Sequence, residues 1–160
     1  MRHTISVWVD NEPGLLSRVT GLFSGRGFNI ESLCVAETVE PGVSRITLVT
    51  SGNEQIIEQI IKQLRKLINV IKVVDLTGTE HVEREMALVK VKAEDRFRAE
   101  VLRIADIFRC RVVDVSPHAY TLEITGNNEK IGAVLDLLKT LGIQEVVRTG
   151  TLAIQRSKKN

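Results

Sequence analysis

Residues 4–10 alternate, with Ile5, Val7 and Val9 on one side and Thr4, Ser6, Trp8 and Asp10 on the other, which is the period of a half-buried strand. The period then lengthens. Past the turn Asn11-Glu12-Pro13-Gly14, apolar Leu15, Leu16, Val19, Leu22 and Phe23 recur at helical spacing until Gly25-Arg26-Gly27 interrupts them. Residues 28–37 and 45–50 are β-prone runs on either side of Pro41-Gly42, a hairpin signal. Asn53 then stands where a helix cap belongs, ahead of the stripe Ile57, Ile60, Ile61, Leu64 and Leu67, and residues 70–76 supply a fourth strand.

The second half repeats this order with little residue identity. Residues 86–92 predict a strand, and Phe97, Val101, Ile104, Ala105 and Phe108 a helix capped near Asp95. Residues 111–115 and 120–125 pair around Ser116-Pro117. Asn127 caps a helix bearing Ile131, Val134, Leu135 and Leu138, which ends at Gly142 before the strand 143–148. The order β-α-β-β-α-β, met twice, specifies an α+β chain of two tandem ferredoxin-like domains, each an antiparallel sheet with helices on one face. The polar stretch 77–83 is the expected linker, placing the domains at 1–78 and 79–160.

Domains of roughly 75 residues bury only about 60% of their unfolded surface, so self-association is expected to complete them. With unbroken alternation, the sheet face away from the first two helices carries Trp8, Leu33, Val35 and Val49, and homodimerisation through sheet faces or edges follows.

An aromatic content of 4% makes the core aliphatic, and 22 basic against 20 acidic residues, well mixed, give no field that would draw in nucleic acid. Only Arg156-Ser157-Lys158-Lys159 is locally basic. No apolar run approaches the ~20 residues of a membrane span and no signal-peptide core follows Arg2, so a cytoplasmic location is expected, with no membrane partner. Cys34 and Cys110 are too few for a metal cluster, and His3, His81 and His118 have no ligand spacing.

Catalytic signatures are missing in the same way. The glycines at 21, 25 and 27 follow a helix instead of opening one, and no Ser, Cys or Thr has the local signature of an activated nucleophile. The strand 45–50 lacks the aromatics on which this fold stacks RNA bases. No catalytic and no metal-binding residue is assigned, so the chain is expected not to be an enzyme.

The turn 10–16 has a physical logic for a zwitterion. Gly14 at a helix start lets a carboxylate approach backbone N–H groups, where the helix dipole contributes about 0.3 to 1 kcal/mol. The Asn11 amide oxygen can accept from an ammonium group, Leu15, Leu16 and Ile30 can line an apolar pocket, and Asn29 can add a polar contact. An equally physical alternative has Asn11 capping the helix, Pro13 in its first turn and Gly14 permitting close packing.

Asp10-Asn11-Glu12-Pro13-Gly14-Leu15-Leu16 resembles the signature turn of ACT domains, which are amino-acid-sensing modules. The runs Arg18-Val19-Thr20-Gly21-Leu22-Phe23, Arg26-Gly27-Phe28-Asn29-Ile30-Glu31-Ser32-Leu33, His81-Val82-Glu83-Arg84-Glu85 and Ile107-Phe108-Arg109 extend the likeness to the small regulatory subunits of acetohydroxyacid (acetolactate) synthase. That resemblance implies a non-catalytic partner of a catalytic large subunit, activating it and conferring feedback inhibition by valine or another branched-chain amino acid. Thiamine diphosphate, magnesium and FAD would belong to the large subunit, leaving no cofactor in this chain. It also implies a homodimer in which Asn11, Gly14, Leu15 and Leu16 of one copy face Asn29 and Ile30 of the other across a shared effector. A stand-alone ACT-type sensor acting on a different enzyme or a transcription factor is the alternative.

Overall fold

In a computed structural model, which describes residues 1–159, the alternating N-terminal run becomes β1 (Arg2–Asp10) and the helical stripe becomes α1 (Leu15–Gly25). The hairpin is β2 (Ile30–Glu37) and β3 (Val43–Ser51), with Gly42 at φ 76° taking the left-handed turn position that its missing Cβ permits. Next come α2 (Glu54–Arg65) and β4 (Val70–Asp75). The Asn53 side chain caps α2 by accepting from the Ile56 amide at 2.9 Å.

The second set is β5 (His81–Lys92), α3 (Asp95–Ile107), β6 (Arg111–Val115), β7 (Ala119–Gly126), α4 (Asn128–Lys139) and β8 (Ile143–Arg148). Asn127 caps α4 as Asn53 caps α2, accepting from the Lys130 amide. Asp95 is instead the first residue of α3; Glu94 occupies the cap position without a side-chain hydrogen bond.

The first sheet has the order β2-β3-β1-β4, all pairs antiparallel, and the second runs β6-β7-β5-β8 with the same geometry. Each is therefore a split βαβ unit, as the element order requires. In the first unit Ile5, Val7 and Val9 meet Leu15, Val19 and Phe23 of α1 and Ile57, Ile60 and Leu64 of α2, all buried. Phe23 and Phe28 meet edge to face, their centroids 6.4 Å apart. In the second unit Val89 and Val91 pack with Leu122 and Ile124 beneath Val101, Ile131, Val134 and Leu138. Side chains of this size stabilise by roughly 1.5–3 kcal/mol each when fully buried, and Phe23 and Tyr120 are the aromatics buried in these mainly aliphatic cores.

Three features depart from the sequence-based expectation. The register of β2 against β3 shifts between Ile30, opposite Thr50, and Ser32, opposite Val49, a β-bulge of one residue. Beyond it every side chain changes face, so Leu33 and Val35 stand on the helix side opposite Leu48 and Ile46, and the open face carries Ser32, Cys34 and Ala36 beside Trp8 and Val49. Second, β5 begins at His81, inside the stretch expected to be linker.

Third, a ninth strand, β9 (Leu152–Gln155), pairs with β5. The chain divides into one compact unit of Met1–Val82 together with the segment from Thr151 onward, and another of Glu83–Gly150. The expected division falls at 78/79 with 151–160 in the second domain; these compact units instead meet at 82/83, with the segment from Thr151 onward grouped with the first. The cause is local hydrogen bonding: the Thr151 amide donates to Ser32 Oγ at 2.8 Å, Arg45 to the Ala153 carbonyl at 2.9 Å and the Arg156 amide to the Glu80 carbonyl at 2.8 Å. No helix among the described residues is long and apolar enough to cross a membrane.

Candidate functional site

The β1–α1 turn is held from both ends. The Asn11 amide donates to the Gly42 carbonyl at 2.8 Å, and Glu12 N donates to the Asp10 carbonyl at 2.9 Å, which turns the chain sharply after the last β1 residue. Gly14 is the helix cap, at φ 83° and ψ −5°, with no side-chain capping bond. An L side chain rarely tolerates that conformation, so the backbone itself requires glycine here. A Cβ built on Gly14 would meet nothing within 4 Å, leaving open space in front of the first turn of α1. Helix starts leave their first N–H groups without intrahelical acceptors, and an anion of carboxylate size can approach them across that space.

Asn11 does not cap the helix. Its Nδ2 donates to Glu37 Oε1 at 2.8 Å, so its Oδ1 remains as the acceptor. Glu37, at the end of β2, is a member of this constellation that sequence spacing did not single out. Leu15 is 5% exposed and belongs to the core, where it fixes the turn; Leu16, the next residue, is 41% exposed and is the apolar group available to a ligand.

Asn29 and Ile30 lie elsewhere. The Asn29 side is exposed, its carbonyl accepting from Thr50 Oγ1 at 2.7 Å, while Ile30 is half-buried and pairs with Thr50. Thr50 in turn pairs with His3, whereas Asp10, at the other end of β1, pairs with Val43. The rise from His3 to Asp10 is about 23 Å, so the two groups of candidate residues occupy opposite ends of the sheet. One chain brings Asn11, Gly14 and Leu16 together, and separately Asn29 and Ile30, but never all five.

The described residues contain no cluster of three or more His, Cys, Asp or Glu side chains placed to hold a metal ion. Cys34 and Cys110 are both free thiols, and burial pushes the Cys110 thiol above its ordinary value, away from the reactive thiolate.

Two family models match the chain. One, an ACT domain like that of the acetohydroxyacid synthase small subunit, covers residues 5–72, and the other, the small subunit of acetolactate synthase, covers residues 84–157. The acetolactate synthase small subunit of Aquifex aeolicus is 53% identical over 97% of this chain and 81% of its own length. That of Haemophilus influenzae is 50% identical over 100% of this chain and 99% of its own. The crystal structure of the acetolactate synthase small subunit from Thermotoga maritima superimposes with a TM-score of 0.91 at 40% identity, covering 99% of each chain. With both sheets, both helix pairs and nearly the full length matched, the chain belongs to the family of acetolactate synthase small, regulatory subunits.

Proposed function

We propose that this small subunit senses a branched-chain amino acid at a site shared by two copies of itself, and thereby activates its catalytic large subunit and makes it subject to feedback inhibition. The observation that carries this reading is the separation of the two half-sites. A helix tip with an open glycine lies at one end of β1, and Asn29 with Ile30 at the other, so a two-fold pairing that sets opposite ends together completes a site that neither copy has alone.

In that site the effector carboxylate sits at the first turn of α1, over Gly14. Its ammonium group donates to Asn11 Oδ1, the oxygen left unused by the bond to Glu37. Leu16 and the partner subunit's Ile30 enclose the aliphatic side chain, Leu15 anchors the turn from the core, and the partner subunit's Asn29 adds a polar contact. Thiamine diphosphate, magnesium and FAD are assigned to the catalytic subunit. An effector touching both copies shifts the dimer only by its differential affinity for one arrangement, which is how occupancy becomes a signal.

Reconstitution tests this. The chain alone should show no synthase turnover, and added to a catalytic subunit it should raise turnover and confer inhibition by valine, leucine or isoleucine. Gly14→Asp places a negative charge where the carboxylate lies, and should abolish inhibition while preserving activation. Wild-type inhibition in that variant would remove the assigned pocket.

A further inference from the structure

On the sheet face opposite the helices, Arg45 of β3 stands between Trp8 of β1 and Ala36 of β2. Its Nη2 donates to Ser6 Oγ and to the Ala153 carbonyl, each at 2.9 Å, and its guanidinium carbon lies 4.5 Å from the Trp8 ring centroid. Nε is buried without a partner, and Nη1 makes no hydrogen bond among the described residues. No described carboxylate forms an ion pair with Arg45, nor with Lys72, whose ammonium lies 5.0 Å from the centroid of the same ring. Burial lowers the proton affinity of this guanidinium, the mark of a cation without a counter-charge. Half-buried charge in such a place is costly unless something pairs with it.

Beside Arg45 a cavity of about 240 Å³ opens between β2, β3 and the returning β9, with Cys34, Ala36, Thr47, Leu152 and Ala153 in its walls and Val35, Glu37 and Thr38 at its β2 end. Arg45 is the one cation of this lining; its one carboxylate, Glu37, accepts from Asn11 Nδ2, the Thr38 hydroxyl bonds local backbone carbonyls, and apart from Thr47 the rest are apolar or weakly polar. One planar cation suits one carboxylate, and a pocket below the ~300 Å³ typical of larger ligands suits a short hydrocarbon tail. We propose that this cavity is a binding site for a small aliphatic carboxylate, Arg45 Nη1 receiving the anion and Ala36, Leu152 and Ala153 the hydrocarbon. The site borders the β1–α1 constellation at Glu37, but its ligand and its test do not depend on how the effector half-sites work.

Trp8 is the chain's single tryptophan and touches Arg45, so its fluorescence reports the occupant directly. The full chain is titrated with sodium acetate, propionate and butyrate at constant ionic strength, with chloride as the replaced anion, and butyrate affinity is checked by calorimetry. The expected response is saturable and tightens along the series, by about fourfold per methylene at most. Arg45→Gln should weaken butyrate binding at least about tenfold, with Arg45→Lys intermediate. Because Arg45 also holds β9, Ala36→Leu is the second variant: it fills the cavity from an exposed edge strand, and should remove the butyrate response while the melting temperature stays at the parent value. A linear response, chloride acting as strongly as butyrate, or undiminished butyrate binding in either variant would overturn the proposal. Gly14→Asp should leave the butyrate response intact, so failure here and failure of the effector site are read separately.

Discussion

Asn11 Nδ2 donates to Glu37 Oε1 at 2.8 Å, joining the β1–α1 turn to the end of β2 across 26 residues of chain. Both side chains are exposed, so the bond contributes little to stability. Its effect is orientation: the carboxylate takes the amide N–H and turns the oxygen outward as an acceptor. Glu37→Ala is therefore expected to change unfolding free energy by less than about 0.5 kcal/mol. It should nonetheless loosen valine binding several-fold in calorimetry, and an unaltered affinity would dissociate Glu37 from the effector site.

Gly14 separates conformation from charge. Alanine there meets no neighbouring atom but must adopt φ 83°, so Gly14→Ala should cost about 1–2 kcal/mol in urea unfolding and leave the helix in place. A stabilised Gly14→Ala protein would contradict the left-handed cap.

Asn29→His should weaken feedback in the synthase assay, as Gly14→Asp should, but from the other half-site. Mixing the two variants gives a sharper outcome. In a mixed dimer one site carries both changes and the other carries neither, so co-expressed Gly14→Asp and Asn29→His chains should recover inhibition that neither homodimer shows. Recovery is impossible if all the residues act within one chain.

In the second unit Arg148 grips Glu85 with both arms of its guanidinium, at 2.6 and 3.0 Å, and Glu85 is 4% exposed. The bond to Glu85 raises the arginine's proton affinity above its ordinary value. Stability from this source is fully present below the pKa of an unfolded arginine and is lost only as pH rises through the higher folded value, so it is constant across the neutral range. Arg148→Ala strands a buried carboxylate and should cost about 2–3 kcal/mol, less than a fully enclosed pair because the arginine side chain is 40% exposed. Arg148→Lys should restore only part, since an ammonium cannot reproduce the two parallel bonds. Thermal denaturation of the three proteins at neutral pH measures both.

The elements were legible wherever a period persists over several residues. β1, α1 and α2 announce themselves by alternation or helical stripe, and Asn53 and Asn127 by their place ahead of the stripe. The orientation of Leu33 and Val35 was not legible, because a single inserted residue between Ile30 and Ser32 reverses the face of everything after it without disturbing composition. Nor was β9, four residues leading into a basic tail, whose position depends on hydrogen bonds to Ser32 and Arg45 more than a hundred positions earlier. At the β1–α1 turn, Gly14 was visible because the left-handed backbone there requires glycine. Glu37 was hidden because only the folded sheet brings it to Asn11.

Because β9 rejoins the first unit, the segment Glu83–Gly150 is an insertion within that unit and not an appendage behind it. A fragment cut at the apparent linker would keep all four strands of the first sheet but leave Ser32 Oγ and Arg45 without the Thr151 and Ala153 partners they hold in the full chain.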